Sequence, residues 1–354
     1  MKKIFKSLLV GLLFVNAGCA DIDLSPLSEG SSENWYRDVT EIEMSLNDLL
    51  RLDFYPIDSY QWDDDFERRD NPHTMVAGTV TSQTGDVKSR WTALYKGIAR
   101  AIKIVEALES GTAQGLTEAQ VNQYIGEAYF YMGFAHATLA TYWGDAVINK
   151  TGMSLEDAYS LKRSPKADVL AWAYECFDTA IKYLPDAMSS QMRPTKSAAY
   201  GFVARFALFH QDWEKAATYA KNCMDMNVYQ LHPDYGDLFV SSKSPELMFY
   251  FKGDNAYNGG VGYYVGNEVK AFTPRQYGAF CNTGPSFSLY CSYPCVDGLP
   301  IDESPLYNPK DGWANRDPRF YDTILYPGSE ICGTTYDPFS YFTDRSATKV
   351  SANG

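Results

Sequence analysis

The feature that most constrains this chain is a region in which apolar side chains recur every three or four residues. The region runs from Val87 to about Asn227 and is interrupted only by short polar or glycine-containing segments. Such spacing places apolar side chains on one face of each helix, and that face must be buried. The pattern therefore predicts a mainly α fold of packed helices, with the aromatic residues of these stripes in the core. The apolar positions of the first two helices are Trp91, Leu94, Tyr95, Ile98, Ile102, Val105, Val121, Tyr124, Ala128, Met132, Ala135, Leu139 and Tyr142.

Local signals predict where these two helices end. Gly111 closes the first and Gly144 closes the second, because glycine readily adopts the left-handed conformation that follows a helix. Thr117 and Gln120 are three residues apart and have the form of a capping box. The second helix is therefore predicted to begin just after Thr117.

Three further helices follow from the same kind of pattern. One covers Lys166 to Tyr183, the next runs from Thr195 to Phe209, and the last begins near Trp213. A turn of two or three residues joins the last two, so we predict an antiparallel hairpin in which alanines face large residues, including Trp213. Such hairpins are the unit of tetratricopeptide-like superhelices, and we predict a superhelix of this type.

The character of the chain changes from residue 228 onward. These 127 residues contain 13 of the 26 glycines and 11 of the 17 prolines, so we expect long irregular loops and little β-structure. Glu246–Phe251 is predicted to be a short strand because it is rich in aromatic and aliphatic residues. Asp317 and Pro318 are predicted to start a helix, with Asp317 as its N-cap.

The first eighteen residues are predicted to be a signal peptide and not part of the fold. Lys2, Lys3 and Lys6 precede an apolar run from Leu8 to Val15, which is too short to cross a bilayer as a helix. Cys19 follows small residues, as it does in the signals of bacterial lipoproteins, so we predict that Cys19 is lipidated. The alternative is an ordinary signal peptide followed by an incidental cysteine.

Charge and motif content restrict the classes of function. Acidic residues outnumber basic ones by 44 to 31, which gives a formal charge of −13. This charge argues against nucleic acid as a partner. The sequence contains no HExxH, GxSxG or P-loop motif and no dinucleotide-binding fingerprint, so we predict no catalytic residues, no metal site and no cofactor.

The cysteines other than Cys19 fall into two groups. Cys176 and Cys223 lie in helical patterns and are expected to be buried apolar residues. The other four lie in the loop-rich part, where two readings stay open: a disulfide, which an extracytoplasmic setting permits, or free thiols. These four are Cys281, Cys291, Cys295 and Cys332.

One acidic cluster and many loop aromatics are candidates for ligand contact. Asp63–Asp65 and Glu67 could be catalytic carboxylates, a calcium site, or a solvated loop that contacts a ligand. Aromatic side chains stack on the apolar face of a sugar ring, while polar neighbours bind its hydroxyl groups. Loop aromatics of this kind are Tyr55, Tyr60, Trp62, Phe66, Tyr257, Tyr263, Tyr264, Phe272, Tyr277, Phe280, Phe287 and Tyr290.

Several segments together resemble the SusD/RagB family of outer-membrane lipoproteins. The resemblance is spread over nearly the whole chain, and the segments occur in the family's order. Tyr129 departs from the family pattern, in which arginine is usual, so the chain resembles a divergent member. The matching segments are Trp91–Tyr95, Gly126–Phe130, Tyr142–Asp145, Lys196–Ala199, Asp212–Ala216, Ser244–Phe249, Asp297–Gly298 and Asn315–Arg319.

The resemblance implies one SusD-like domain over residues 19–354, with a helical body over about 35–227 and a loop-rich part over 228–354. Family members typically continue further, so the resemblance implies that the C-terminal part of the family fold, with its closing helices, is missing from this chain. Asp21 and Asp23 resemble the acidic export signal of surface lipoproteins in Bacteroidetes-type bacteria. The expected location is therefore the outer membrane at the cell surface, through a lipid anchor.

The function implied by the resemblance is capture of a nutrient glycan and its delivery to a SusC-like TonB-dependent transporter, without catalysis. By their place in the chain, the ligand-binding residues are expected to be Tyr60, Trp62 and Asp65 in the first loop, with Phe287 and Tyr290 in the later one. Two alternatives are a helical-toroid glycoside hydrolase or lyase, and a structural transporter subunit without a ligand of its own.

Overall fold

The structure is a computed structural model that describes residues 35–50, 63–69, 72–188, 192–240, 244–250, 269–274, 279–331 and 333–337. Cys19, Tyr60 and Trp62 lie outside these ranges. The helices with both ends in the described ranges are α1 Val39–Asp48, α2 Gly85–Glu109, α3 Glu118–Trp143, α4 Leu155–Ser160, α5 Lys166–Tyr183, α6 Lys196–Phe209, α7 Trp213–Asp225, α8 Tyr235–Leu238, α9 Phe287–Ser292 and α10 Pro318–Thr323. The strands are β1 Phe66–Arg68, β2 Thr283–Pro285, β3 Glu330–Ile331 and β4 Thr334–Thr335. The mainly α prediction is confirmed.

The predicted helix ends are confirmed where capping chemistry identified them. The Thr117 hydroxyl accepts a hydrogen bond from the Gln120 backbone N–H at 3.3 Å, and Gln120 Oε1 accepts from the Thr117 N–H at 3.0 Å. Gly144 ends α3 with φ of 75°. Asp317 caps α10, and its carboxylate accepts from the Arg319 N–H at 2.9 Å.

Helix α3 is the centre of the core. It packs against α2 on one side and α5 on another, and α5 packs on α6, which pairs with α7. Most of its residues are buried, including the ring of Phe130. Edge-to-face contacts join that ring to Phe177 of α5 at 5.8 Å and to Phe202 of α6 at 5.4 Å. Aromatic packing therefore ties three helices together around α3.

Two glycines let the backbones of α3 and α5 approach closely. A Cβ atom added to Gly133 would lie 3.0 Å from both the Ala173 carbonyl oxygen and the Phe177 ring. A Cβ added to Gly126, two turns earlier, would lie 3.0 Å from the backbone nitrogen of Leu184, the residue after α5. Side chains larger than hydrogen do not fit at these points without a shift of α5.

Helix α3 also buries an ion pair. The Glu127 side chain is fully buried, and its carboxylate accepts hydrogen bonds from Arg193 Nη1 at 2.7 Å and from Gln123 Nε2 at 2.8 Å. Burial raises the pKa of Glu127, while the Arg193 guanidinium opposes that shift. The Glu127 carboxylate therefore depends on the neighbouring Arg193 guanidinium to remain charged in the core.

The predicted strand over Glu246–Phe251 is wrong for the part that the structure describes, since residues 246–250 form turns and bends. The side chain of Phe249 explains the difference. Its ring contacts Phe130 at 5.5 Å and Phe202 at 6.1 Å. The aromatic run therefore serves to cover the helical core, where no pairing strand is needed.

The expectation that Trp213 packs against alanines inside the helix hairpin is also wrong, because 61% of its surface is exposed. Asp212 caps α7, so Trp213 is the first residue of that helix. A side chain at this position points back beyond the end of the helix and past the packed part of the hairpin. Ala216, one turn later, is the buried residue of α7.

The described cysteines are free thiols. Cys176 is buried as predicted, Cys223 is half-buried, and Cys281, Cys291 and Cys295 form no disulfide; Cys332 lies outside the described residues. Burial raises the pKa of the Cys176 thiol, as expected for an apolar core residue. None of the helices in the described ranges combines the length and apolarity that crossing a membrane requires.

The glycine contact predicts that Gly133→Ala will destabilise the protein. We expect a loss of about 1–3 kcal/mol in the free energy of unfolding, because the added methyl group meets backbone and ring atoms of α5. The measurement is urea denaturation of the mature chain. Gly85→Ala is the matched control, since a Cβ there has no atom within 4 Å. Equal stability of the two variants would contradict the close approach.

The buried pair predicts that Arg193→Gln will cost about 3–5 kcal/mol of stability at neutral pH, because an unpaired charge remains in the core. In this variant the pKa of Glu127 is higher in the folded state than in the unfolded state, so protonation of Glu127 favours folding. The deficit should therefore shrink as the pH falls and grow as the pH rises through the folded pKa.

Urea denaturation at a series of pH values tests this prediction. Lys221→Gln is the control, since the Lys221–Asp225 pair is exposed and its loss should cost less than about 1 kcal/mol. A deficit in Arg193→Gln that does not depend on pH would show that the Glu127 charge is not its cause.

Candidate functional site

A short pairing between distant segments builds the first candidate surface. Strands β1 and β2 are antiparallel, with Phe66 opposite Pro285 and Arg68 opposite Thr283. The Ser286 N–H donates to the Asp65 carbonyl oxygen at 2.8 Å, which continues the pairing beyond the strands. This pairing places the predicted residue Asp65 beside the start of α9. We call residues 63–68 and 283–290 the loop platform.

The Ser286 hydroxyl fixes the junction between the two segments. It donates to the Asp64 carbonyl oxygen and accepts from the Leu289 N–H at 3.0 Å, where it caps α9. Ser288 adds a hydrogen bond from its hydroxyl to Asp64 Oδ2 at 3.3 Å. The serines thus hold the acidic loop against the helix that carries the predicted aromatic residues.

The two predicted aromatics of α9 have different exposures. Phe287 and Tyr290 are three residues apart, and their rings stack with centroids 5.7 Å apart and planes 16° apart. Phe287 is 74% exposed, whereas Tyr290 is half-buried. The Phe287 ring is therefore available to an external ring, and Tyr290 supports it from behind.

A buried cation holds Tyr290 in place. Arg316 is fully buried, and its guanidinium carbon lies 4.5 Å from the ring centroids of both Tyr290 and Phe320. Its Nη1 donates to the Gly312 carbonyl oxygen and its Nη2 to the Tyr293 carbonyl oxygen, both at 2.9 Å. Sequence reasoning missed this role, although Arg316 lies inside the Asn-Arg-Asp-Pro-Arg segment that carries the family resemblance.

The Tyr290 hydroxyl is already engaged within the protein. It donates to the Gly312 carbonyl oxygen at 2.9 Å and lies 3.3 Å from the Tyr307 hydroxyl. Burial, together with Tyr307, raises the pKa of Tyr290 to about 12. Tyr290 therefore positions the platform through its ring and its neutral hydroxyl.

The carboxylates of the platform lie in solvent at its edge. Asp63, Asp64 and Asp65 are exposed or nearly so, and partial desolvation followed by the charges of Asp63 and Asp64 raises the pKa of Asp65. In the ranges that the structure describes, no group of three or more Asp, Glu, His or Cys side chains is arranged to hold a metal ion. The arrangement can stack a ring on Phe287 and accept hydrogen bonds at the neighbouring carboxylates.

A cavity of about 560 Å³ forms a second concave surface, which the sequence did not predict. It lies where the start of α2, the end of α3 and the segment before α5 meet, and its walls include Trp91, Tyr142, Trp143 and Arg163. The expectation that Tyr142 belongs to the core is wrong, because 45% of its surface is exposed. Tyr142 lies in the last turn of α3, beyond the part that α2 and α5 enclose.

Comparisons with known proteins agree with the helical architecture. A family model described as "Starch-binding associating with outer membrane" (SusD-like) matches residues 36–208, which include Asp65 but neither Phe287 nor Tyr290. A solved SusD-like carbohydrate-binding protein from Bacteroides fragilis superposes with a TM-score of 0.75 at 23% identity. That match covers 89% of this chain and 64% of the other.

Two curated relatives have similar sequences. SusD-like protein P2 of Formosa agariphila is 23% identical over 272 residues, which cover 70% of this chain and 52% of that protein. A SusD-like protein of Bacteroides ovatus is 23% identical over 249 residues, which cover 64% of this chain and 45% of that protein. The chain spans about half the length of these relatives. The family model, these relatives and the shared fold agree with the resemblance of this chain to the SusD/RagB family.

Proposed function

We propose that this protein captures a nutrient glycan at the loop platform and passes it on without chemical change. The observation that carries the proposal is the β1–β2 pairing, which sets an exposed ring, Phe287, beside the carboxylates of residues 63–65. The solved relative from Bacteroides fragilis is named a carbohydrate-binding protein. Tyr60 and Trp62 directly precede the platform in the chain and extend the proposed set of ligand contacts.

The platform suits a sugar because its parts are ordered before the ligand arrives. Tyr290 and Arg316 support Phe287 from behind, so stacking a sugar on Phe287 orders few additional side chains. The carboxylates accept hydrogen bonds from hydroxyl groups at the rim of the ring. In this proposal Phe287, Asp65, Tyr60 and Trp62 contact the glycan.

The family resemblance supports the rest of the proposal. Cys19 carries the lipid that anchors the mature chain to the outer membrane at the cell surface. A SusC-like TonB-dependent transporter is the partner that receives the glycan.

Labelling with a radioactive fatty acid tests the lipid anchor. The wild-type chain should incorporate the label, and Cys19→Ala should not, because the thiol that would carry the lipid is absent.

Stacking on Phe287 predicts that Phe287→Ala will weaken glycan binding by about tenfold, because an exposed aromatic surface that the sugar covers is lost. Affinity electrophoresis of the mature chain against a panel of neutral polysaccharides measures the change. Phe209→Ala is the control, since Phe209 is 64% exposed on α6 and lies outside the platform. If every glycan that the wild-type chain binds slows the migration of both variants equally, Phe287 does not contact the glycan and the binding site lies elsewhere.

A hydrolase or lyase remains the alternative that the platform carboxylates favour, since the raised pKa of Asp65 is a property of general acids. Incubation of the wild-type chain with each bound glycan, followed by an assay for new reducing ends, separates the two functions. New ends that Asp65→Asn abolishes would overturn the proposal of capture without catalysis. If the wild-type chain binds no glycan in the panel, a structural role in the transporter becomes the better reading.

A further inference from the structure

We propose that the cavity between α2 and α3 is a second saccharide site, selective for sugar rings that carry a carboxylate or sulfate group. We call it the basic cavity; its lining includes Lys88, Arg90, Trp91 and Arg163. The proposal rests on the glycan capture proposed above, but the basic cavity shares no residue with the loop platform.

The aromatic walls of the basic cavity are fixed by the helices that carry them. Trp91 of α2 and Trp143 of α3 meet edge to face with ring centroids 5.6 Å apart, and Tyr142 meets Trp143 at 6.2 Å. The segment after α3 is tied to α2 because the Tyr95 hydroxyl donates to the Val147 carbonyl oxygen at 3.0 Å. The walls are therefore rigid, while the exposed Tyr142 ring borders open space that a sugar can enter.

Arg163 is the group that an anion would meet in the basic cavity. Its guanidinium carbon lies 5.2 Å from the Trp91 ring centroid. An arginine stacked on an aromatic face keeps the N–H donors of its edge available for a carboxylate or sulfate. In the described parts of the chain, Arg163 makes no hydrogen bond or ion pair through its side chain.

The backbone on either side of Arg163 is held in place. Ser164 and Ala146 exchange backbone hydrogen bonds of 2.8 and 3.2 Å. The Lys166 N–H donates to Asp145 Oδ1 at 2.9 Å. These contacts join the segment before α5 to the residues just after α3, so the backbone that carries Arg163 is fixed beside the aromatic walls before a ligand arrives.

The charge balance distinguishes this cavity from the rest of the protein. Over the whole chain acidic residues outnumber basic ones by 44 to 31, whereas the lining of this cavity has more basic than acidic side chains, with Lys88 and Arg163 beside the single carboxylate of Asp86. The Asp86 carboxylate already lies 3.5 Å from His73 Nε2. Lys88 and Arg163 repel each other as like charges, and an anionic ligand relieves that repulsion while a neutral sugar does not.

Matched pairs of oligosaccharides that differ only in charge test the proposal with the mature full chain. One pair is an oligogalacturonate and its methyl ester, and the other is a sulfated carrageenan oligosaccharide and its desulfated form. Isothermal titration calorimetry should show tighter binding of the charged member in at least one pair, by about tenfold. Its affinity should fall as the ionic strength rises. The pair that responds shows whether the carboxylate or the sulfate is preferred.

Variants locate that binding. Arg163→Gln and the exposed Lys88→Gln should each weaken the charged probe, Arg163→Gln by about tenfold. Arg205→Gln is the control, because Arg205 is also exposed over an aromatic ring, Phe202 at 5.6 Å, but lies outside the cavity. Circular dichroism verifies that each variant is folded.

Three results would overturn the inference. Charged and neutral members could bind equally in both pairs, or Arg163→Gln and Arg205→Gln could have the same effect. A polyglutamate peptide could also bind through Arg163 when no charged saccharide does, which would assign the cavity to acidic peptides. Phe287→Ala separates the two proposals, because a loss of neutral-glycan binding in that variant supports the loop platform whatever the basic cavity binds.

Discussion

The close approach of α3 and α5 at Gly126 and Gly133 is the constraint on which the rest of the described structure depends. With no side chain at these positions, the two backbones come together, and α3 is buried along most of its length. A helix enclosed in this way has its position and rotation fixed by packing. The end of α3 at Gly144 therefore places Tyr142 and Trp143 at a defined point of the surface.

The same enclosure determines how polar groups in α3 must behave. Glu127 is acceptable in the core because Arg193 reaches it, and His136 because its ring is neutral. Burial lowers the pKa of His136 to about 4, and the ring Nδ1 lies 2.8 Å from the Met132 carbonyl oxygen, as suits a neutral ring that donates this bond. Glu127 and His136 each have a hydrogen-bond partner within the protein, so the packing of the helices around α3 does not depend on a bound ligand.

The sequence predicted the helices well because their signals are local. The capping box at Thr117, the stop at Gly144 and the bounds of α5 follow from residues within one or two turns of each helix end. The β1–β2 pairing could not be predicted in this way, since its three-residue strands lie far apart in the chain. The site prediction brought Asp65 and Phe287 together only through the family resemblance. The role of Arg316 was missed because its partners are carbonyl oxygens, which leave no sequence signal.

The two candidate surfaces share aromatic rings but differ in the sign of their charge. At the loop platform the ring of Phe287 lies beside the carboxylates of residues 63–65, so we expect a ligand site there to repel an anionic sugar and to favour a neutral one. In the basic cavity the rings lie beside Lys88, Arg90 and Arg163, and the preference is reversed. If both proposals hold, a polysaccharide with alternating neutral and acidic sugars can place a neutral ring on the loop platform and an acidic ring in the basic cavity. Discrimination between glycans would then come from charge placed beside similar aromatic rings, since stacking alone accepts many sugars.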